Sequence, residues 1–163
     1  MFELLTSKLA MMIAVMIILS SILAIFTLQR EDAKDMELRN TADKVSGAVD
    51  DLNSLLGETK VNVTFDSEKE GFYVDPVVLG KNYEITITRY EVVITQDGRK
   101  FISDFIVPIH LWRPDSNTYN LTQIEDSDAE NMRLEFVSGE DFIMERALLD
   151  IEGEYEYKTF VYL

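Results

Sequence analysis

The stretch LAMMIAVMIILSSILAIFTL, residues 9–28, holds only apolar side chains, two serines and one threonine. Twenty residues in helical geometry, at about 1.5 Å rise each, reach about 30 Å, the thickness of a bilayer's hydrocarbon core. In so dry a layer each backbone N–H and C=O has to be satisfied inside the helix, so one crossing is the expectation. A secretory signal carries a shorter apolar region, about 7–15 residues, with small residues at its cleavage site. Here Ile22 and Ala24 precede Ile25-Phe26, a poor match, and the segment is expected to be retained.

Outward from that run the charge changes sign. Residues 1–30 carry Lys8 and Arg30 against Glu3, whereas residues 31–163 carry 13 basic and 29 acidic side chains, and the whole chain has a formal charge of −15. Such a surface repels phosphate backbones and anionic headgroups, which excludes nucleic-acid binding and basic-patch membrane binding. The remaining length suits one modest domain with a single core. Lys8 stands before the run, and Arg30, Lys34, Arg39 and Lys44 follow it, so the positive-inside count places the C-terminal domain in the cytoplasm. The sequons Asn62-Val63-Thr64 and Asn120-Leu121-Thr122 point the other way, as possible glycosylation sites of an exported domain.

A heptad register passes through the apolar run and out of it. Steps of four and three lead from Ala10 to Ala14, Ile17, Ser21, Ala24 and Leu28, then Glu31 and Asp35, then Leu38, Ala42, Val45, Val49, Leu52 and Leu56. No proline occurs before Pro76, and Gly47 is the one glycine before Gly57, so the spacing predicts one helix from about Thr6 to Leu56. The expected organisation is a stub at 1–8, a continuous helix at 9–56, hydrophobic to 28 and amphipathic after it, and a β-rich domain at 57–163. The small residues Ala10, Ala14, Ser21 and Ala24 permit close helix approach in an apolar layer. The stripe from Leu38 to Leu56 needs a partner, either the chain's own domain or another copy.

Beyond Gly57 the period drops to two. Val61–Phe65, Tyr83–Thr88 and Glu91–Thr95 alternate, Asp97-Gly98 marks a tight turn, and Lys100–Ile109, Tyr119–Ile124, Met132–Val137, Phe142–Ile151 and Tyr155–Leu163 follow. Strands without intervening helices argue for an antiparallel sheet or small β-sandwich, giving an α+β chain.

Residue supply argues against an enzyme. His110, the only histidine, lies in apolar Val107–Trp112, cysteine is absent, and no glycine-rich phosphate loop or G-x-S-x-G elbow occurs. No cofactor or metal is expected: the acidic run Glu125–Asn131 could offer oxygen ligands to calcium but lacks the spacing of an EF-hand, and Asp115-Ser116-Asn117 is weaker still. Trp112, Tyr119, Tyr155 and Tyr157 could form an adhesive surface, though core packing and cross-strand pairing explain them more simply.

Taken together, the stub with Lys8, the hydrophobic helix, its amphipathic extension and the β-rich remainder resemble type IV pilins and pseudopilins, the archaeal pilin-like proteins in particular. The resemblance covers the whole chain as architecture and implies a subunit held in the membrane, then extracted by assembly-machinery proteins so that its helix packs with other copies inside a cell-surface filament. It also implies leader cleavage near Lys8, although Ser7-Lys8-Leu9-Ala10 lacks the family's usual glycine and Glu3 precedes the run instead of lying within it. The alternative is a single-pass anchor carrying a β domain, an accessory or sensor protein of a membrane complex.

Overall fold

The structure is a computed structural model that describes residues 2–112, 118–119 and 132–163, for residues 2–8, 10, 118 and 119 the backbone alone. The chain is α+β: one long N-terminal helix followed by two sheets made mostly of antiparallel pairs. It divides into two compact units, Met1–Met36 and Glu37–Leu163.

Helix α1 runs Phe2–Ser54. It starts several residues before the expected Thr6, so no change of secondary structure marks Lys8. It ends two residues before the expected Leu56, where Ser54 Oγ turns back to the carbonyl of Asp51 and Gly57 takes a φ of 139°. An exposed Leu56 beyond the helix end cannot extend the apolar stripe, which corrects its place in the heptad list.

The second unit builds its main core from three sources. From α1 come Leu38, Ala42, Val45, Val49 and Leu52, each buried. One sheet has the order β5-β4-β3-β7, with β3 at Glu84–Thr88, β4 at Glu91–Gln96, β5 at Arg99–Asp104 and β7 at Arg133–Val137. Its strands alternate, so Ile85, Ile87, Val92, Ile94 and Phe136 face inward. In the other sheet, β8 (Phe142–Ile151) is central: it pairs with β9 (Glu154–Tyr162) along its whole length, and on its other edge with β1 (Thr59–Thr64). Two short parallel pairings, β1 with β2 (Phe72–Tyr73) and β8 with β6 (Thr118–Tyr119), make this sheet mixed. Because strand side chains alternate, Phe142 and Met144 join the main core. Ala147, Leu149 and Ile151, with Phe160 and Tyr162, form a second cluster capped by Trp112. Strand β8 is therefore half-buried or better along its whole length, which explains its apolar weight.

Turns close the hairpins as their residues dictate. Asp97 and Gly98 have φ of 51° and 78°, the paired left-handed geometry of a two-residue hairpin turn, and Glu152 and Gly153 do the same between β8 and β9. The run Lys100–Ile109 does not continue as one strand: β5 stops at Asp104, and Phe105 N–H donates to the Tyr90 carbonyl instead. His110 is buried, bridges to Phe160 and stacks edge-on with Trp112, with ring centroids 4.8 Å apart. The predicted strand Tyr119–Ile124 lies outside the described residues beyond Tyr119, as do Asp115-Ser116-Asn117, Glu125–Asn131 and Asn120.

Candidate functional site

In the first unit, every residue from Leu9 to Leu28 whose side chain is described is exposed. Ile17, for example, keeps 61% of its surface. So many large apolar side chains left open exceed what single surface leucines need by way of explanation, and mark a surface built for an apolar surrounding. The segment from Met11 is long and apolar enough to cross a membrane, a candidate span near the N-terminus.

The three hydroxyls of the run fit that surrounding. Ser20 Oγ donates to the Met16 carbonyl at 2.8 Å, Ser21 Oγ to that of Ile17 at 2.8 Å, and Thr27 Oγ1 to that of Leu23 at 2.9 Å. Each polar side chain is satisfied one turn back and needs no water. Without such bonds, burying a hydroxyl in hydrocarbon would cost about 2–7 kcal/mol. Sequence reading placed these residues in the run but not their bonding; the i−4 spacing to a free side of the helix is the signal that could have shown it.

One face of this helix carries Ala14, Ile17, Ser21, Ala24 and Leu28, the described heptad positions, while the side chain of Ala10 is outside the description. Beside them Leu9, Met12, Ile13, Met16, Ile17, Ser20 and Ser21 line a shallow apolar groove. The two sets overlap at Ile17 and Ser21.

The downstream heptad positions behave differently. Leu38, Ala42, Val45, Val49 and Leu52 are consumed by the β domain of their own chain, so they are not an open face for another copy. Polar residues beside this stripe fasten it. Ser46 Oγ donates to the Asp104 carbonyl at 2.8 Å, Ser103 Oγ to Asp43 Oδ1 at 2.9 Å, Ile106 N–H to Asp50 Oδ1 at 2.9 Å, and Thr159 Oγ1 to Asn53 Oδ1. Apolar periodicity could not point to Asp43, Ser46, Asp50 and Asn53, because their partners lie more than fifty residues away. Of the two sequons, Asn62 is exposed on β1, while its Thr64 is buried and accepts the Asp66 N–H.

No family profile matches this chain, and neither a curated protein nor a solved structure matches it. The layout of a long N-terminal apolar helix followed by a β-sheet domain is the one that pilin-like proteins share, and the site is defined by that layout and by the exposed apolar surface alone.

Proposed function

We propose that the chain is a structural subunit of an extracellular filament of the type IV pilus or pseudopilus kind, held in the membrane by residues 9–28 until helices of neighbouring copies replace the lipid. The observation that carries this reading is the exposed apolar run with all three of its hydroxyls bonded internally. A surface of this kind has two stable homes, lipid and a bundle of like helices, and transfer between them costs little because both are equally dry. The acidic charge of residues 31–163 keeps an assembled fibre soluble.

A second reading, a single-pass anchor bearing an accessory or sensor domain, is favoured by the burial of Leu38–Leu52 in the chain's own core. That burial leaves only the first half of the helix for partners, which is sufficient for an anchor. Shearing cells, collecting the fibres and identifying their proteins by mass spectrometry separates the two. The filament reading expects this chain in the sheared fibres and loss of those fibres on deletion. Recovery in membrane fractions alone, with filaments unchanged in the deletion, replaces it with the anchor.

A further inference from the structure

Strand β9 has one edge occupied by β8 and, among the described residues, the other only partly filled. At its far end the outer edge is taken by the segment around His110: His110 N–H donates to the Thr159 carbonyl at 2.9 Å, and Val161 N–H donates to the His110 carbonyl at 2.8 Å. Residues 159 and 161 thus turn their backbone groups away from β8, and by strand alternation Tyr157 and Tyr155 do the same. Among the described residues, nothing pairs with the outward groups of those two tyrosines, and their side chains are open, Tyr155 at 71% and Tyr157 at 41%. Core packing accounts for neither side chain, while the cross-strand part of the sequence expectation holds for Tyr157, whose ring lies 5.1 Å from the Arg146 guanidinium of β8 and leaves the outer backbone edge untouched.

The segment Glu154-Tyr155-Glu156-Tyr157-Lys158 is complementary to itself when reversed. In an antiparallel pair of two copies centred on Glu156, Tyr155 stands opposite Tyr157 of the other copy in both directions. These are the residues whose backbone groups point outward, so each such pair exchanges two N–H to C=O bonds. Glu154 then stands opposite Lys158, again twice, on the face away from the tyrosines. Only Glu156 meets its own kind; Lys158 of its own strand, 2.7 Å away, keeps the carboxylate ionised and offsets its charge at that contact. Charges along a free edge ordinarily discourage pairing. Here their order favours one partner and one register.

We propose that the outer edge of β9, Glu154–Lys158, is an interface for a second copy of this chain, formed by antiparallel strand pairing about a two-fold axis at Glu156. An isologous contact of this kind closes on itself at two copies and does not propagate a fibre. It is a property of the β unit and stands or falls apart from the filament reading. The ladder is short, so the contact is weak between free molecules and gains from any tether that holds copies together.

The absence of cysteine from the chain makes the test clean. In the full chain in detergent, E156C places a thiol opposite its own copy at a position without ladder bonds, where side chains approach most closely. Mild oxidation is expected to link E156C at least about tenfold faster than E135C, an exposed control on edge strand β7, or Y155C, which sits off the axis. Each rate is divided by the same thiol's reaction with a small soluble disulfide, so that reactivity is separated from proximity. K158E is expected to slow E156C linking severalfold and the swap E154K/K158E to restore it. Equal rates for E156C and E135C, faster linking of Y155C than of E156C, or no effect of K158E would overturn the proposal.

Discussion

Tyr83 illustrates how one side chain holds a loop that has little regular structure. It is buried; its hydroxyl donates to the Asp75 carbonyl, and its backbone N–H donates to Ser138 Oγ at 3.1 Å, while Ser138 Oγ donates in turn to the Pro76 carbonyl at 2.6 Å. Burial, before the nearby Asp75 charge, pushes the phenol pKa well above its usual value near 10. A phenol that stays protonated in the native state but ionises in the unfolded chain stabilises the fold up to about pH 10, and that contribution is lost as pH rises further. Tyr83→Phe is expected to cost about 1–3 kcal/mol at pH 7, because the Asp75 carbonyl loses its donor, and to flatten the alkaline fall in stability. Urea midpoints of both proteins between pH 7 and pH 11 check this, and parallel curves would refute it. Gly71 is constrained more simply: a Cβ there would lie 2.3 Å from the Asn62 carbonyl oxygen, at a φ of 148°. Gly71→Ala is expected to destabilise by about 1–3 kcal/mol, read from the same midpoints, since backbone has to move. Gln96 sits beside the Asp97-Gly98 turn, yet it is buried, and its Nε2 donates to the carbonyls of Val78, Lys81 and Asn82. Nothing local in the sequence distinguishes such an anchor from an exposed turn glutamine, because its partners are 14 to 18 residues away.

Helix α1 is one element with two environments, and its residues divide accordingly. Leu38 is fully buried, whereas Ile17, three heptads earlier on the same register, is open. Leu38→Ala is expected to lower the stability of the β unit by about 2–5 kcal/mol, through lost burial and the cavity left behind. Ile17→Ala should leave the unfolding midpoint of that unit unchanged, and equal effects of the two substitutions would refute the division. The heptad spacing was legible along the whole helix because side-chain direction follows from helical geometry alone. Its burial was not, because the same spacing serves a membrane face, a coiled coil and a domain core. Strand positions were similarly legible from alternation, including the Asp97-Gly98 hairpin. The two-residue strand β2 was not, since a pair so short leaves no period to read.

At the scale of the whole molecule, an apolar helical unit and a strongly acidic β unit have opposite solvent preferences. A chain shortened to residues 37–163 retains the entire core, with Leu38, Ala42, Val45, Val49 and Leu52 included. It is expected to remain in the aqueous phase on detergent phase separation, whereas the full chain enters the detergent phase; partition of both into the same phase would count against the membrane reading. The sequence by itself determined the α+β class, the apolar span and the Asp97-Gly98 hairpin, because length, composition and period report directly on local geometry and on transfer from water. Only the tertiary structure decided which half of the helix is spent on its own domain and which strand edge stays unpaired among the described residues. Those outcomes depend on contacts between residues far apart in the chain, and no local pattern encodes them.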